Sequence, residues 1–228
     1  MKALKNKMRD DFLSSASDYL FLLNKGYPET PSVRLVGDRY RLPKEERTML
    51  FRGLCPGRKA RERRQKLSES PCASELHIDG YNVLFTILNY RQGRRLFVGS
   101  DGYLRDAGGL HGRVGDQDLF AEIAGSVLEF LRGRGVESAY VYLDAPVSRS
   151  GGHAALIRES MAGLGLRGGC EVCASADGRL KALRPDCAAT SDTGIIDAME
   201  GRIYDLARDY LEEKYAAEFF RFPPPEAG

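Results

Sequence analysis

Leu76-His77-Ile78-Asp79 is a short apolar run that ends in an aspartate, and Gly80 follows it. The same arrangement returns in Ala139-Tyr140-Val141-Tyr142-Leu143-Asp144 and in Ala188-Ala189-Thr190-Ser191-Asp192. Short apolar runs bounded by turn signals read as buried strands. In an open α/β sheet, ligands bind beyond the carboxyl ends of parallel strands, so three aspartates placed there face one crevice. Like charges raise one another's pKa, and a hard divalent cation removes that conflict. The pattern therefore predicts an Mg²⁺ or Mn²⁺ site held by Asp79, Asp144 and Asp192.

Each aspartate also has a purely structural reading. Asp79-Gly80 and Asp144-Ala145-Pro146 both suit turns, and Asp192 suits a helix N-cap ahead of Thr193-Gly194. Shared placement at the ends of three separate strands argues for the joint reading. Asp197, about one helical turn beyond Asp192, adds a fourth carboxylate or complements a positive helix end. Asn82 either orients a ligand or metal-bound water, or caps the helix that follows. Ser148 and Ser150, in Ser148-Arg149-Ser150-Gly151-Gly152, precede a helix and offer a phosphate seat or a plain cap. Ser191 flanks Asp192 in the same way.

Working outward, strands are expected at 76–79, 95–99, 138–143, 169–174 and 186–190. Helical segments are expected through 83–90 and at 116–133, 152–164 and 193–215. Strands alternating with helices imply an α/β domain with a parallel sheet covered on both faces. Upstream, Leu4, Met8, Phe12, Leu13, Ala16, Leu20 and Leu23 give a helical stripe over 3–24. A second helix runs from Pro43 to Gly53; the segment 33–40 is not assigned. The basic run 58–66, with six Lys or Arg and one Glu, leads into Ser68, Ser70 and Pro71 and reads as a linker. The expected division is a small helical basic domain at 1–56, a linker at 57–74, the α/β domain at 75–222 and a disordered tail at 223–228.

The chain has 228 residues, 43% hydrophobic and 29% charged, within the range of globular proteins. No apolar stretch approaches a membrane span and no signal core follows the basic start, so a cytoplasmic location is expected. Five cysteines without an export signal favour reduced thiols over a disulfide framework. Cys170 and Cys173 form a lone CxxC whose side chains point to opposite faces of a strand, a poor grip on one metal. The net charge of +2 divides unevenly: residues 1–66 carry 17 basic and 8 acidic side chains, and residues 67–228 carry 17 and 24. A basic half suits a polyanion such as RNA, with Arg61, Arg63 and Arg64 as backbone contacts. Asp101, Asp106 and His111 lie in a glycine-rich stretch able to bend over the crevice, with His111 as a proton donor or phosphate contact. His77 reads as a packed core residue and His153 as a surface one. No nucleotide-binding glycine loop is present in strand–turn–helix context.

Asp79-Gly80-Tyr81-Asn82-Val83-Leu84, with Thr190-Ser191-Asp192, resembles the NYN branch of the PIN-like metal-dependent nucleases. The likeness spans roughly 75–205 by motif order, with about a dozen residues matching directly. It implies a PIN-like Rossmannoid fold in which Asp79, Asp144, Asp192 and Asp197 serve one or two divalent ions. A second likeness runs through Leu35-Val36-Gly37-Asp38-Arg39-Tyr40, Leu143-Asp144-Ala145-Pro146-Val147-Ser148 and Ser191-Asp192-Thr193-Gly194-Ile195-Ile196-Asp197. These segments look like a largely archaeal family that joins an N-terminal domain of unknown function, type 434, to a PIN-like domain. Val147-Ser148-Arg149-Ser150-Gly151 is similar to that family and departs from ordinary PIN nucleases. The helical acid common in PIN domains has no clear counterpart among Asp118, Glu122 and Glu129. The expected activity is that of an Mg²⁺- or Mn²⁺-dependent endoribonuclease acting on single-stranded or looped RNA, with a homodimer compatible. The alternatives are a non-catalytic RNA-processing accessory protein and a phosphohydrolase acting on a small molecule.

Overall fold

The computed structural model describes residues 8–72, 74–108 and 114–225. Four helices come first: α1 (Asp10–Asn24), α2 (Glu29–Arg39), α3 (Lys44–Gly53) and α4 (Gly57–Lys66). Then follow β1 (Leu67–Ser68), β2 (Glu75–Asp79), α5 (Gly80–Arg91), β3 (Leu96–Val98), β4 (Leu104–Asp106) and α6 (Gln117–Gly133). Next come β5 (Ser138–Asp144), α7 (Ser150–Leu164), β6 (Arg167–Cys173), α8 (Ala176–Leu183) and β7 (Cys187–Ala189). The chain closes with α9 (Thr193–Ala198), β8 (Arg202–Tyr204), α10 (Leu206–Tyr215) and β9 (Phe220–Arg221). Among the described residues no helix is long and apolar enough to cross a membrane.

Two compact units are present. The first gathers the described residues of Met1–Gln65, Gly93–Gly108 and Ala217–Gly228. Its sheet has the order β4-β3-β9, with β3 antiparallel to β4 and parallel to β9. Phe97 of β3 and Phe222, just after β9, belong to one buried cluster with Phe12, Tyr19, Leu23, Met49 and Leu50 from the helices. The apolar stripe foreseen in α1 is buried at Met8, Phe12, Ala16 and Leu23, while Leu13 faces out. Among the described residues the helix begins at Asp10, with two acids in its first turn complementing the positive end, and positions 3–7 of the expected stripe lie outside the described residues. The segment 33–40, unassigned from sequence, lies mostly within α2. The basic run expected as a linker is helix α4, because Ala60 and Arg63 turn inward on one side of it. The expected disordered tail lies partly outside the described residues.

The second unit, the described residues of Lys66–Gln92 and Gly109–Ala216, carries a six-stranded sheet of order β1-β8-β7-β2-β5-β6. Every neighbouring pair in it is parallel. Ile78 and Val141 face helices α5, α6 and α7 through Val83, Leu84, Ala124, Val127 and Ile157. On the other face His77 stacks on Tyr140 at 5.0 Å, and its Nδ1 lies 2.9 Å from the Tyr142 hydroxyl. His77 is thus packed between strands, as its place in β2 implies.

Three departures from the sequence reading concern this unit. The helix expected at 193–215 is split into α9, β8 and α10. Gly201 explains the split: a Cβ there would lie 2.6 Å from the backbone oxygens of both Pro185 and Asp186, so only glycine lets the chain turn alongside β7. Helix α8, between β6 and β7, also went unread. Cys72 and Cys187 form a disulfide across 115 residues, against the expectation of reduced thiols throughout. Cys55, Cys170 and Cys173 are free.

Candidate functional site

Chain order decides where a ligand would enter. From β2 the chain adds β5 and β6 on one side, then returns with β7 and β8 on the other. The direction of winding reverses between β2 and β7, and such a switch point leaves a crevice beyond the carboxyl ends of the strands. Asp79 ends β2 there, and Thr190, Ser191 and Asp192 follow β7.

Asp79 is 6% exposed, and its Oδ2 accepts a 3.0 Å bond from the Thr190 hydroxyl. The same Thr190 oxygen accepts from the Asp192 amide at 3.0 Å. Beside this pair, Asn82 Oδ1 accepts from the Ser191 amide at 2.8 Å and from the Ser191 hydroxyl at 3.1 Å. Asn82 therefore ties the start of α5 to the loop after β7. Its predicted capping role is replaced by a bridge across the switch point.

The other two acids are engaged by helix starts. Asp192 caps α9, its Oδ1 accepting from the Gly194 amide at 2.8 Å and the Ile195 amide at 3.0 Å. Asp144 Oδ1 accepts from the Ala176 amide, the first of α8, at 2.9 Å. Helix N-termini stabilise nearby carboxylates, so both aspartates have a structural role beside any chemical one. Asp79 stands at the N-cap of α5 but makes no side-chain capping bond there as Asp192 does at α9. Burial first, and then the nearby Asp144 and Asp192, push its carboxyl up from 3.8 to about 7, against the lowering effect of Thr190 and the Asn82 amide.

Asp197 is exposed on α9. Ser148 is exposed, whereas Ser150 is buried and directs its hydroxyl to the Ala145 carbonyl at 3.4 Å. Arg149, between them, has a left-handed φ of 68°. His153, expected at the surface, is 3% exposed: it lies 2.8 Å from the Tyr81 hydroxyl and 2.9 Å from Gln117 Oε1. Gln117 donates through Nε2 to the Val114 carbonyl, so its Oε1 faces the histidine and assigns the ring proton to Nε2.

Asp101 and Asp106 of the glycine-rich stretch are both engaged by arginines of their own unit. Asp101 belongs to the first unit, 1% exposed, where Arg105 holds both its oxygens at 2.8 Å and Arg63 adds a contact at 3.2 Å. Burial opposes its charge, but the two guanidiniums prevail and hold the carboxyl below its ordinary range. Asp106 pairs with Arg52 at 2.9 Å and accepts from the Gly108 amide. Arg63 is itself 7% exposed, so this arginine is a core ion-pair partner and not a contact open to RNA. Arg61 and Arg64 stay exposed on α4. His111 lies outside the described residues.

Sequence reading missed Asp205, which follows β8 at the same edge of the sheet. It is 5% exposed and caps α10 through the Arg208 amide. Arg202-Ile203-Tyr204-Asp205 repeats the apolar-run-then-aspartate pattern, hidden by the assumption of one long helix. A cavity of about 240 Å³ opens there, lined by Ser68, Tyr204, Asp205, Arg208, Asp209 and Glu212 among others. Among the described residues, no group of three or more His, Cys, Asp or Glu side chains stands ready to hold a single metal ion.

Residues 11–66 match a protein of unknown function, DUF434, and residues 69–209 match a domain of unknown function, DUF5616. An uncharacterized protein of Methanocaldococcus jannaschii is 29% identical over 203 residues, spanning 86% of this chain and 96% of the relative. No solved structure matches the chain. With the DUF5616 match running from 69 to 209 and the DUF434 match ahead of it, the chain belongs to the DUF5616 family.

Proposed function

We propose that the chain is a metal-dependent ribonuclease whose reaction centre is Asp79 with Asp144 and Asp192. One observation carries the reading: a buried carboxyl at the switch point, raised to about 7 by burial and by two neighbouring carboxylates. A carboxylate in that position gains most from a nearby cation, and perturbed carboxyls in clefts mark functional sites. The three side chains suit a hard divalent ion in donor chemistry and in charge. They do not already form a shell in the described structure, because Asp144 and Asp192 each direct one oxygen to a helix start.

When bound, Mg²⁺ or Mn²⁺ would supply an activated water and positive charge against the leaving oxygen. The chain's own residues set the geometry. Thr190 holds Asp79 by its hydroxyl, and Asn82 with Ser191 fixes the two walls of the crevice. Arg58, Lys59, Arg61 and Arg64 are exposed on α4 and suit a phosphate backbone without base reading. A single-stranded or looped RNA is the proposed substrate, since it enters a crevice that a duplex does not.

The test compares native protein with an Asp79→Asn/Asp192→Asn variant on labelled single-stranded RNA and Mn²⁺. Native protein is expected to cleave, with at least a hundredfold loss in the variant. Equal cleavage by both, or by neither, contradicts the reading. The helix-capping roles of Asp144 and Asp192 favour, as second reading, a non-catalytic RNA-processing accessory protein. Binding that is independent of metal, without scission, identifies that case.

A further inference from the structure

Four aspartates along one edge repel the polyanion that the proposed function requires. A substrate-side cation is needed beside any metal, and helix α8 brings one. Its first amide bonds Asp144, and its Lys181 reaches toward the start of α9 at the other side of the crevice. Lys181 Nζ pairs with Asp177 at 2.7 Å, with its side chain about a third exposed at 35%. A methyl group at position 194 would lie 3.2 Å from that ammonium and 3.1 Å from Asp192 Oδ1. Gly194 therefore leaves open a space that borders both the lysine ammonium and the Asp192 carboxylate.

This placement is electrostatically unusual. A helix N-terminus carries partial positive charge and favours anions, so an ammonium at the start of α9 stands at the unfavoured end. The ion pair with Asp177 offsets the cost. About a third of the lysine side chain meets solvent, so a ligand can reach it. Lysine acts at such sites as a compact point charge for phosphate.

We propose that Lys181 is the phosphate-contacting cation of this site, receiving a phosphodiester anion beside Asp192. The proposal rests on the ribonuclease reading for its substrate class, but its test separates the two. The probe is the dinucleoside monophosphate UpU, which carries a single phosphodiester. Its binding is measured by calorimetry in EDTA and in Mn²⁺, for native protein, Lys181→Met, Lys181→Arg and Gly194→Ala. Loss of one charge-assisted contact corresponds to about a tenfold weakening for Lys181→Met. Lys181→Arg is expected to stay within about threefold, and Gly194→Ala to weaken UpU by displacing the ammonium. Mn²⁺ affinity of Lys181→Met is expected to equal or exceed the native value, because a competing cation is gone.

Equal UpU affinity in native protein and Lys181→Met, or no UpU binding by native protein, overturns the proposal. Native protein that binds UpU through Lys181 but never binds Mn²⁺ overturns the metal-dependent reading and leaves the lysine contact standing.

Discussion

Asp79 carries a stability cost that a single substitution exposes. Its folded carboxyl ionises near 7, whereas an unperturbed one does so near 3.8. The folded chain therefore holds its full advantage from this group below pH 4 and loses it as pH rises through 7. That displacement corresponds to about 4 kcal/mol at most. Asp79→Asn keeps the shape without the charge, so it is expected to melt at higher temperature than native protein at pH 8 and nearly alike at pH 4. Thermal scans across that range check it, and coincident profiles at every pH contradict it. Asp101 is the opposite case, since its carboxylate is stabilised by Arg105 and Arg63. Asp101→Asn strands two buried guanidiniums and is expected to cost about 3–5 kcal/mol in denaturant unfolding. The sequence showed both aspartates as loop or strand-end acids. It did not show which one faced a pair of arginines, because Arg63 lies 38 residues upstream.

Among elements, the strands that end in Asp79 and Asp144 were legible because their apolar runs are short and bounded, and Asp192 followed a third such run. Helices α6 and α7 were legible from helical spacing. What escaped depended on contacts distant in sequence. Gly201 breaks the expected long helix only because Pro185 and Asp186 lie against it. Helix α4 looked like a linker because its polar composition hid the inward face of Ala60 and Arg63. The disulfide follows the same rule: Cys72 precedes β2 and Cys187 opens β7, and these two strands are neighbours in the sheet. It ties together the ends opposite to Asp79 and Asp192. Closing a loop of about a hundred residues restricts the unfolded chain by roughly 4–5 kcal/mol. Reduction, or Cys72→Ser, is therefore expected to lower the unfolding midpoint in denaturant. Unchanged midpoints with and without reductant would remove the bridge as a stabilising feature.

For the molecule as a whole, the sheet and the charge distribution make separate demands. The acidic part of the chain holds the parallel sheet and its aspartate edge, while the basic part holds α4. Neutralising Arg61 and Arg64 to Gln is expected to weaken RNA binding and reduce its salt slope by about two, leaving Mn²⁺ binding intact. Filter binding at several salt concentrations reads this directly, and an unchanged slope makes α4 a solvated surface. The proposed reaction centre rests on Asp79 needing a cation. The most direct measurement is calorimetric titration of native protein with Mn²⁺ at pH 6.5 in two buffers of different ionisation enthalpy. A carboxyl ionising near 7 must lose its proton when the ion binds, so saturable binding with buffer-dependent heat is expected, and both are lost in Asp79→Asn. Absence of saturable heat, or heat unchanged in Asp79→Asn, contradicts the account.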